Sequence, residues 1–241
     1  MCLILFAVLP DPDHRLVVAA NRDEQYSRPS AQANWWPDFP HVLGGRDLEA
    51  GGTWLGISRT GRFAAVTNFR EDPPDPLPPR SRGELTAGFL TGGMAAESFL
   101  RQVHENADEY RGFNLVLGDD TGFYYYSNRD RKIQPLPPGY YGLSNQLLDC
   151  DWPKVIRGRK QLSRLADAGF PPDELFGLLF CQGDGAPFSQ SFIATETYGT
   201  SASTVITVSA TGSVYFEERS FRPWGEADRI HRYRFGLEGG S

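Results

Sequence analysis

Cys2 is the residue whose type and position best fit chemistry, because it directly follows Met1 at the head of an apolar run. Removal of Met1 would leave a thiol and a free α-amine on one residue, and that amine can act as the base when the thiol attacks a carbonyl. An α-amine titrates near about 7.7–8.0, so a useful fraction is neutral at cellular pH. The sequence therefore predicts an N-terminal cysteine nucleophile. The alternative is a small apolar residue that begins a buried strand.

The polar run Asn21-Arg22-Asp23-Glu24 follows the second predicted strand, which pairs with the first as a hairpin. An antiparallel partner of a strand that starts at residue 2 must end beside residue 2. We therefore expect Asp23 or Arg22 close to the Cys2 amine or thiol. A carboxylate there would orient the amine, and an arginine would favour the thiolate by lowering its pKa. The alternative is a solvated turn.

Two asparagines, Asn68 and Asn145, each end a predicted strand. Asparagine at a strand end is commonly a turn former, which is one interpretation of both. If the two side-chain amides point at one place, they would instead form an oxyanion hole. Each donor would then contribute roughly 3–4 kcal/mol to the transition state of acyl transfer.

Other residue patterns argue against a cofactor or a metal. The glycine-dense segment 44–56 has neither phosphate-binding nor dinucleotide-binding spacing, so we interpret it as tight turns or as backbone packed closely against a site. The three cysteines and four histidines show no spacing typical of metal ligands. We therefore expect no cofactor and no metal.

Composition bounds the partners and the location. The net charge of −6 gives no basic surface for nucleic acid or anionic membrane, and 40% apolar with 22% charged residues is typical of a globular protein. No segment approaches about 18 apolar residues, so we expect no membrane span and a cytoplasmic protein. The aromatic content of 13%, which includes Trp54, favours a small apolar acyl or ring-bearing ligand.

The elements that must position these residues predict an α+β fold in one domain, residues 1–241, of antiparallel strands flanked by helices. Residues 72–80 carry five prolines and predict an exposed loop. The predicted strands are 2–9, 15–21, 53–58, 62–69, 113–118, 122–127, 133–136, 140–143, 204–209 and 213–218. The predicted helices are 81–90, with Ser81 as the N-cap, 95–109, a helix opened by residues 151–153 and ended by Gly169, and 172–181.

An ordered set of motifs resembles the NRDE family, also called the transport and Golgi organization protein 2 family. The motifs extend from the start of the chain to about Phe221, so the resemblance covers nearly the whole sequence. They are Met1-Cys2, Asn21-Arg22-Asp23-Glu24, Arg28-Pro29, Gly51-Gly52-Thr53-Trp54-Leu55-Gly56, Thr67-Asn68-Phe69-Arg70, Ser81-Arg82-Gly83, Gly112-Phe113-Asn114-Leu115, Gly142-Leu143-Ser144-Asn145, Trp152-Pro153-Lys154-Val155, Tyr198-Gly199-Thr200 and Ser203-Thr204-Val205-Ile206.

That family is similar to the cysteine branch of the N-terminal nucleophile hydrolases, which includes penicillin V acylase and bile salt hydrolase. The resemblance implies a four-layer αββα sandwich and acyl transfer from an amide, ester or thioester. The alternative that it implies is a non-catalytic carrier of haem or an acyl lipid on the same scaffold. Ser201 stands where relatives tend to have arginine.

The resemblance also implies roles for individual residues. Cys2 resembles the nucleophile, Asp23 the aspartate that orients the amine, and Asn68 and Asn145 the oxyanion donors. The supporting residues are Asn21, Arg22 and Glu24, and the candidate substrate-binding residues are Trp54 and Arg70.

Overall fold

The computed structural model describes residues 2–71, 73 and 80–238, which form two antiparallel sheets and four α-helices. In chain order the strands are β1 (Leu3–Asp11), β2 (His14–Gln25), β3 (Ser30–Trp35), β4 (Val42–Asp47), β5 (Leu55–Ser58), β6 (Phe63–Asn68), β7 (Phe113–Asp119), β8 (Gly122–Ser127), β9 (Ile133–Pro135), β10 (Gly139–Leu143), β11 (Tyr198–Ser209), β12 (Ser213–Phe221) and β13 (Ala227–Gly236). The helices are α1 (Gly83–Thr91), α2 (Ala96–Glu105), α3 (Pro153–Arg164) and α4 (Pro172–Leu179).

The chain forms two compact units. The first contains the residues up to Arg28, with Pro138–Ser144 and Leu148–Gly236, and the second contains Pro29–Pro137, Asn145–Leu147 and the residues from Leu237 onward. Each unit has one antiparallel sheet and two of the four helices. Each unit therefore combines an antiparallel sheet with helices, as α+β proteins do.

The sheet of the first unit has the strand order β10-β1-β2-β11-β12-β13. Alternation along β1 and β2 directs Leu3, Leu5 and Val17 to the face that packs on α3 and α4. Gly158 allows α3 to approach β1 closely, because a Cβ there would lie 2.6 Å from a methyl carbon of the buried Leu5. This unit therefore holds β1 and β2 rigidly against two helices.

The sheet of the second unit has the order β3-β4-β5-β6-β7-β8-β9. Helices α1 and α2 contribute Phe89, Leu90 and Leu100 to a core shared with β6 and β7. At Gly52 the glycine-dense segment is closely packed backbone, but it packs against the start of α1, and packing against a site stays a prediction. A Cβ at that position would lie 2.4 Å from the carbonyl carbon of Gly83, so the segment before β5 can lie directly against the start of α1 only as glycine.

Most predicted elements are confirmed, with differences at their ends. Strand β2 continues through the polar run to Gln25, because β11 pairs with it as far as Gln25 and satisfies its backbone. The prediction that this run is outside the strand was therefore wrong. Helix α1 begins at Gly83 without a side-chain cap, so Ser81 is not its N-cap.

Three strands were missed by the sequence pattern, namely β3, β4 and β13. Strand β13 is an edge strand with exposed and half-buried residues in alternation, so it lacks the apolar run that marks a central strand. The predicted proline-rich loop lies outside the described residues except for positions 73 and 80. The single domain also stays a prediction.

Candidate active site

Cys2 lies directly before β1. Because β1 pairs with β2 in an antiparallel hairpin, the polar residues at the end of β2 extend beyond the first residue of β1. Leu3 pairs with Asn21, so the register brings Cys2 to the level of Arg22. The backbone N–H of Asp23 donates a hydrogen bond to the Cys2 thiol. The side chain is half-buried. The hairpin therefore places Cys2 beside the two residues that the sequence predicted.

Asp23 is a buried carboxyl held by a neighbouring strand. It is 6% exposed, and its Oδ1 accepts a hydrogen bond from the Thr200 hydroxyl at 2.7 Å. Thr200 lies opposite Asp23 in the β2–β11 register, so the contact follows from strand pairing. Burial raises the pKa of Asp23 to about 6, because desolvation outweighs the opposing effects of Thr200 and Lys154. The carboxyl therefore titrates close to neutral pH.

Arg22 lowers the pKa of the Cys2 thiol, as expected, but the net shift of that pKa is upward. Burial raises the pKa of the thiol and the charge of Asp23 raises it further, while the charge of the N-terminal amine, the Asp23 N–H and Arg22 lower it. The net direction is upward because desolvation of the thiolate is the largest effect. The prediction of a lowered thiol pKa was therefore wrong, and formation of the Cys2 thiolate near neutral pH needs a base.

Arg22 and Glu24 lie together on β2. The Arg22 guanidinium donates to the Ser201 hydroxyl at 3.2 Å and to the Glu24 carboxylate at 3.5 Å. Ser201 in turn donates to the backbone carbonyl of Arg22 at 3.2 Å. The Ser201 hydroxyl of β11 therefore contacts both the side chain and the backbone of Arg22.

Asn21 is fully buried, and its side chain links β2 to the neighbouring segments by hydrogen bonds. Its Nδ2 donates to the carbonyls of Leu179 and Ser191, each at 2.9 Å, and its Oδ1 accepts from the Ser203 hydroxyl at 2.6 Å. These contacts fix the strand immediately before Arg22 and Asp23, so Asn21 supports the site structurally.

Lys154 and Ser144 are contacts of Cys2 that the sequence analysis did not single out. The Ser144 hydroxyl donates to the Cys2 carbonyl at 2.6 Å, and the Lys154 Nζ lies 3.5 Å from the same oxygen. Burial lowers the pKa of Lys154, while Asp23, Cys2 and Cys150 oppose that shift. One signal was available, because Lys154 is one of only three lysines among 24 basic residues.

Asn68, Arg70 and Asn145 lie together in the second unit. Asn68 ends β6, as predicted, and is exposed. The buried Asn145 donates from Nδ2 to the Asn68 carbonyl at 2.8 Å, and its own carbonyl accepts from the Arg70 N–H at 2.7 Å. Asn145 therefore fixes the backbone that carries the Asn68 amide.

Trp54 is partly buried and packs against the hydrophobic core of the second unit. Its carbonyl accepts from the Val66 N–H at 2.8 Å, which holds the start of β5 against β6. Its position supports the packing of the unit, and substrate binding by Trp54 and Arg70 stays a prediction.

The predicted site residues other than Trp54 thus fall into two groups. Cys2, Asn21, Arg22, Asp23 and Glu24 form one in the first unit, and Asn68, Arg70 and Asn145 form the other in the second unit. Convergence of Cys2 and Asp23 with the two asparagines stays a prediction.

Within 2–71, 73 and 80–238, no group of three or more His, Cys, Asp or Glu could hold a metal ion. In the same part of the chain, no helix is long and apolar enough to cross a membrane.

The crystal structure of the C2A mutant of conjugated bile acid hydrolase from Clostridium perfringens is similar to this chain, with a TM-score of 0.53. The likeness covers 100% of this chain and 95% of that chain at 11% sequence identity. It confirms the predicted fold class, an α+β fold of the N-terminal nucleophile hydrolase type.

The family model described as Transport and Golgi organisation 2 matches residues 1–223. The Transport and Golgi organization protein 2 homolog of Bos taurus is 37% identical and that of Mus musculus 35% identical, each over 91% of this chain and 93% of the relative. The chain therefore belongs to the Transport and Golgi organisation 2 family, as its motifs indicated.

The pKa of Asp23, raised to about 6, predicts how stability changes with pH. A carboxyl with a higher pKa in the folded state favours folding while protonated, and this contribution falls as the pH rises from about 4 through about 6. We expect Asp23→Asn to abolish this loss of stability with rising pH. The free energy of unfolding of the variant, relative to wild type, should increase from about pH 4 to about pH 7 in urea titrations.

Asp11→Asn is the matched control with the opposite sign. Partial burial raises the pKa of Asp11, but the His14 side chain, 3.0 Å away, and the backbone N–H groups of Asp13 and His14 together outweigh burial and lower the pKa overall. The stabilisation by Asp11 is therefore present above about pH 4 and is lost as the pH falls. A constant difference between Asp23→Asn and wild type would contradict the assignment.

Proposed function

We propose that this protein is an acyl-transfer hydrolase in which Cys2 attacks a small apolar amide, ester or thioester. The observation that carries the proposal is the group of polar contacts around Cys2. The thiol accepts from the Asp23 N–H, and the Cys2 carbonyl is contacted by Ser144 and Lys154. A cysteine that served only as a small apolar residue would not need charged and polar partners on both its side chain and its backbone.

The proposed reaction requires removal of Met1. The free α-amine of Cys2 then takes the thiol proton while the sulfur bonds to the acyl carbon. The tetrahedral oxyanion collapses, the bond to the leaving amine, alcohol or thiol breaks, and the protonated α-amine returns its proton to that group. Water then attacks the acyl-cysteine, with the amine as base, and releases the acid and the free thiol.

Asp23 is proposed to orient the α-amine. Thr200 holds one carboxylate oxygen, so the carboxyl has a defined position beside Cys2. The raised thiol pKa makes this step important, because little thiolate is present without a base. An oriented amine supplies that base in the first step and the acid in the second.

Asn68 is proposed as an oxyanion donor, with Asn145 as a second donor that also fixes Asn68. The hydrogen bond from Asn145 to the Asn68 carbonyl supports this division of roles. A preorganised donor contributes roughly 3–4 kcal/mol to the transition state because it does not reorient during the reaction.

The comparisons favour a hydrolase and leave one alternative. The structurally similar protein is named a conjugated bile acid hydrolase and was studied as a C2A mutant. The family description names transport, which favours a non-catalytic carrier as the second candidate. Haem or an acyl lipid is the cargo proposed for that carrier. Substrate contacts of Trp54 and Arg70 and a cytoplasmic location belong to the same proposal.

Replacement of Cys2 by serine tests the proposal. We expect Cys2→Ser to lower the hydrolysis of p-nitrophenyl butyrate by about 100-fold or more, because the thiol is the nucleophile. The free energy of unfolding should change by less than about 1.5 kcal/mol, since the change of volume is small. Product absorbance and urea unfolding measure the two effects.

Cys181→Ser is the control for this substitution. Cys181 is also half-buried, and its sulfur accepts from the Gly183 N–H at 3.4 Å, so it is a cysteine with its own local contact. It should keep the wild-type rate. Full activity in Cys2→Ser would rule out the proposed hydrolase mechanism. Binding of haem or an acyl lipid by the wild-type protein without turnover would favour the carrier.

The two asparagines should respond differently to alanine. Asn68→Ala should lower kcat by about 100-fold, because the amide donates to the oxyanion of the transition state. Its effect on the free energy of unfolding should be small, because Asn68 is exposed. Asn145→Ala should lower both kcat and stability, because it leaves the Asn68 carbonyl without this donor. Asn34→Ala, at an exposed asparagine of β3, is the control. An unchanged kcat in Asn68→Ala would rule out its oxyanion role.

A further inference from the structure

Lys154 is a buried lysine, and a contribution to folding stability does not by itself explain its position. Its exposed fraction is 0%, whereas lysine is almost never fully buried unless it is paired. Desolvation of an ammonium is costly in folding free energy, so a lysine at such a position needs partners that offset the cost.

The helix position of Lys154 adds to that cost. Lys154 is the second residue of α3, directly after Pro153. The N-terminal turn of a helix carries a partial positive charge, so a cation there is disfavoured. Departures from local rules of this kind are expected at functional sites.

The contacts of Lys154 converge on Cys2. Its Nζ lies 3.5 Å from the Cys2 carbonyl oxygen and 5.8 Å from the centroid of the Trp152 ring. Trp152 stacks on Phe188 with ring centroids 4.1 Å apart. The backbone N–H of Lys154 donates to the Phe188 carbonyl at 3.2 Å, so the start of α3 is anchored beside the ammonium.

Standard bond lengths place a cysteine sulfur within about 5 Å of the carbonyl oxygen of its own residue. The Lys154 ammonium therefore acts on the thiol as well as on the carbonyl. The charged and titratable groups that interact with Lys154 are Asp23, Cys2 and Cys150, and Arg22 acts on Cys2 as a second cation. Asp23 is the anion of this cluster.

We propose that Lys154 is a positioning residue for the nucleophile. Together with Ser144 it holds the Cys2 carbonyl, and its ammonium balances the Asp23 carboxylate so that the Cys2 thiolate can form. The chemical purpose of this arrangement depends on the proposed acyl transfer. The effect of Lys154 on the thiol does not, and it is measurable without a substrate.

The test is the pH profile of Cys2 alkylation by iodoacetamide, followed by mass spectrometry of the N-terminal peptide. We expect Lys154→Met to move the midpoint for Cys2 upward by about one pH unit or more, because Asp23 is then unbalanced. Alkylation near pH 7.5 should fall about tenfold. Lys160→Met, at an exposed lysine of the same helix, should keep the wild-type midpoint.

Two further variants separate charge from structure. Ser144→Ala removes the other contact of the Cys2 carbonyl without changing charge, so its midpoint should stay within about 0.3 pH unit of wild type by the same electrostatic argument. Lys154→Arg keeps the charge and should restore most of the rate lost in Lys154→Met. An equal shift in Ser144→Ala, or no rescue by arginine, would overturn the charge role.

If Lys154→Met does not fold, the double variant Lys154→Met with Asp23→Asn leaves neither member of the pair charged. Its Cys2 midpoint should lie above that of Asp23→Asn alone. Equal midpoints, or a folded Lys154→Met with the wild-type midpoint, would refute the inference. If the wild-type protein does not hydrolyse the ester but the midpoints are as expected, the hydrolase is refuted and the role of Lys154 stands.

Discussion

The antiparallel pairing of β1 with β2 fixes where Cys2 lies, and the arrangement of the candidate site follows from it. Because Leu3 pairs with Asn21, β2 continues past the first residue of β1, and its backbone at Asp23 reaches the Cys2 thiol. The extension is stable because β11 pairs with β2 as far as Gln25. A register shifted by one residue would turn Asp23 to the opposite face of the sheet.

Burial of charge next to this pairing gives the site its chemical character. Asp23 and Lys154 are both buried, and desolvation moves the pKa of the carboxyl up and that of the ammonium down. The two groups partly compensate each other, since each stabilises the charged form of the other. The Cys2 thiol has a raised pKa, so in the proposed mechanism its reactivity depends on a base and on the balance of the neighbouring charges.

The sequence predicted the fold class and the Cys2–Asp23 neighbourhood because both follow from hairpin geometry and from motifs. It did not predict β13, whose alternating pattern lacks an apolar run, or the continuation of β2, whose polar residues are stabilised by pairing with a strand nearly 180 residues later, as in the Asp23–Thr200 contact. Lys154 was missed for a similar reason. The approach of α3 to Cys2 is a tertiary contact, and local propensity carries no information about it. The direction of the shift in the Cys2 thiol pKa was predicted wrongly, because the sequence does not show how strongly burial desolvates the thiol.

The central claim is that Cys2 forms a covalent acyl intermediate, and intact-mass spectrometry tests it most directly. The protein would be mixed with p-nitrophenyl butyrate, quenched in acid within the first turnover, and digested to locate any modification. The account predicts a chain that lacks Met1 and carries one butyryl group on the peptide that begins with Cys2. A chain that retains Met1, or an adduct absent from that peptide while the ester is hydrolysed, would contradict it.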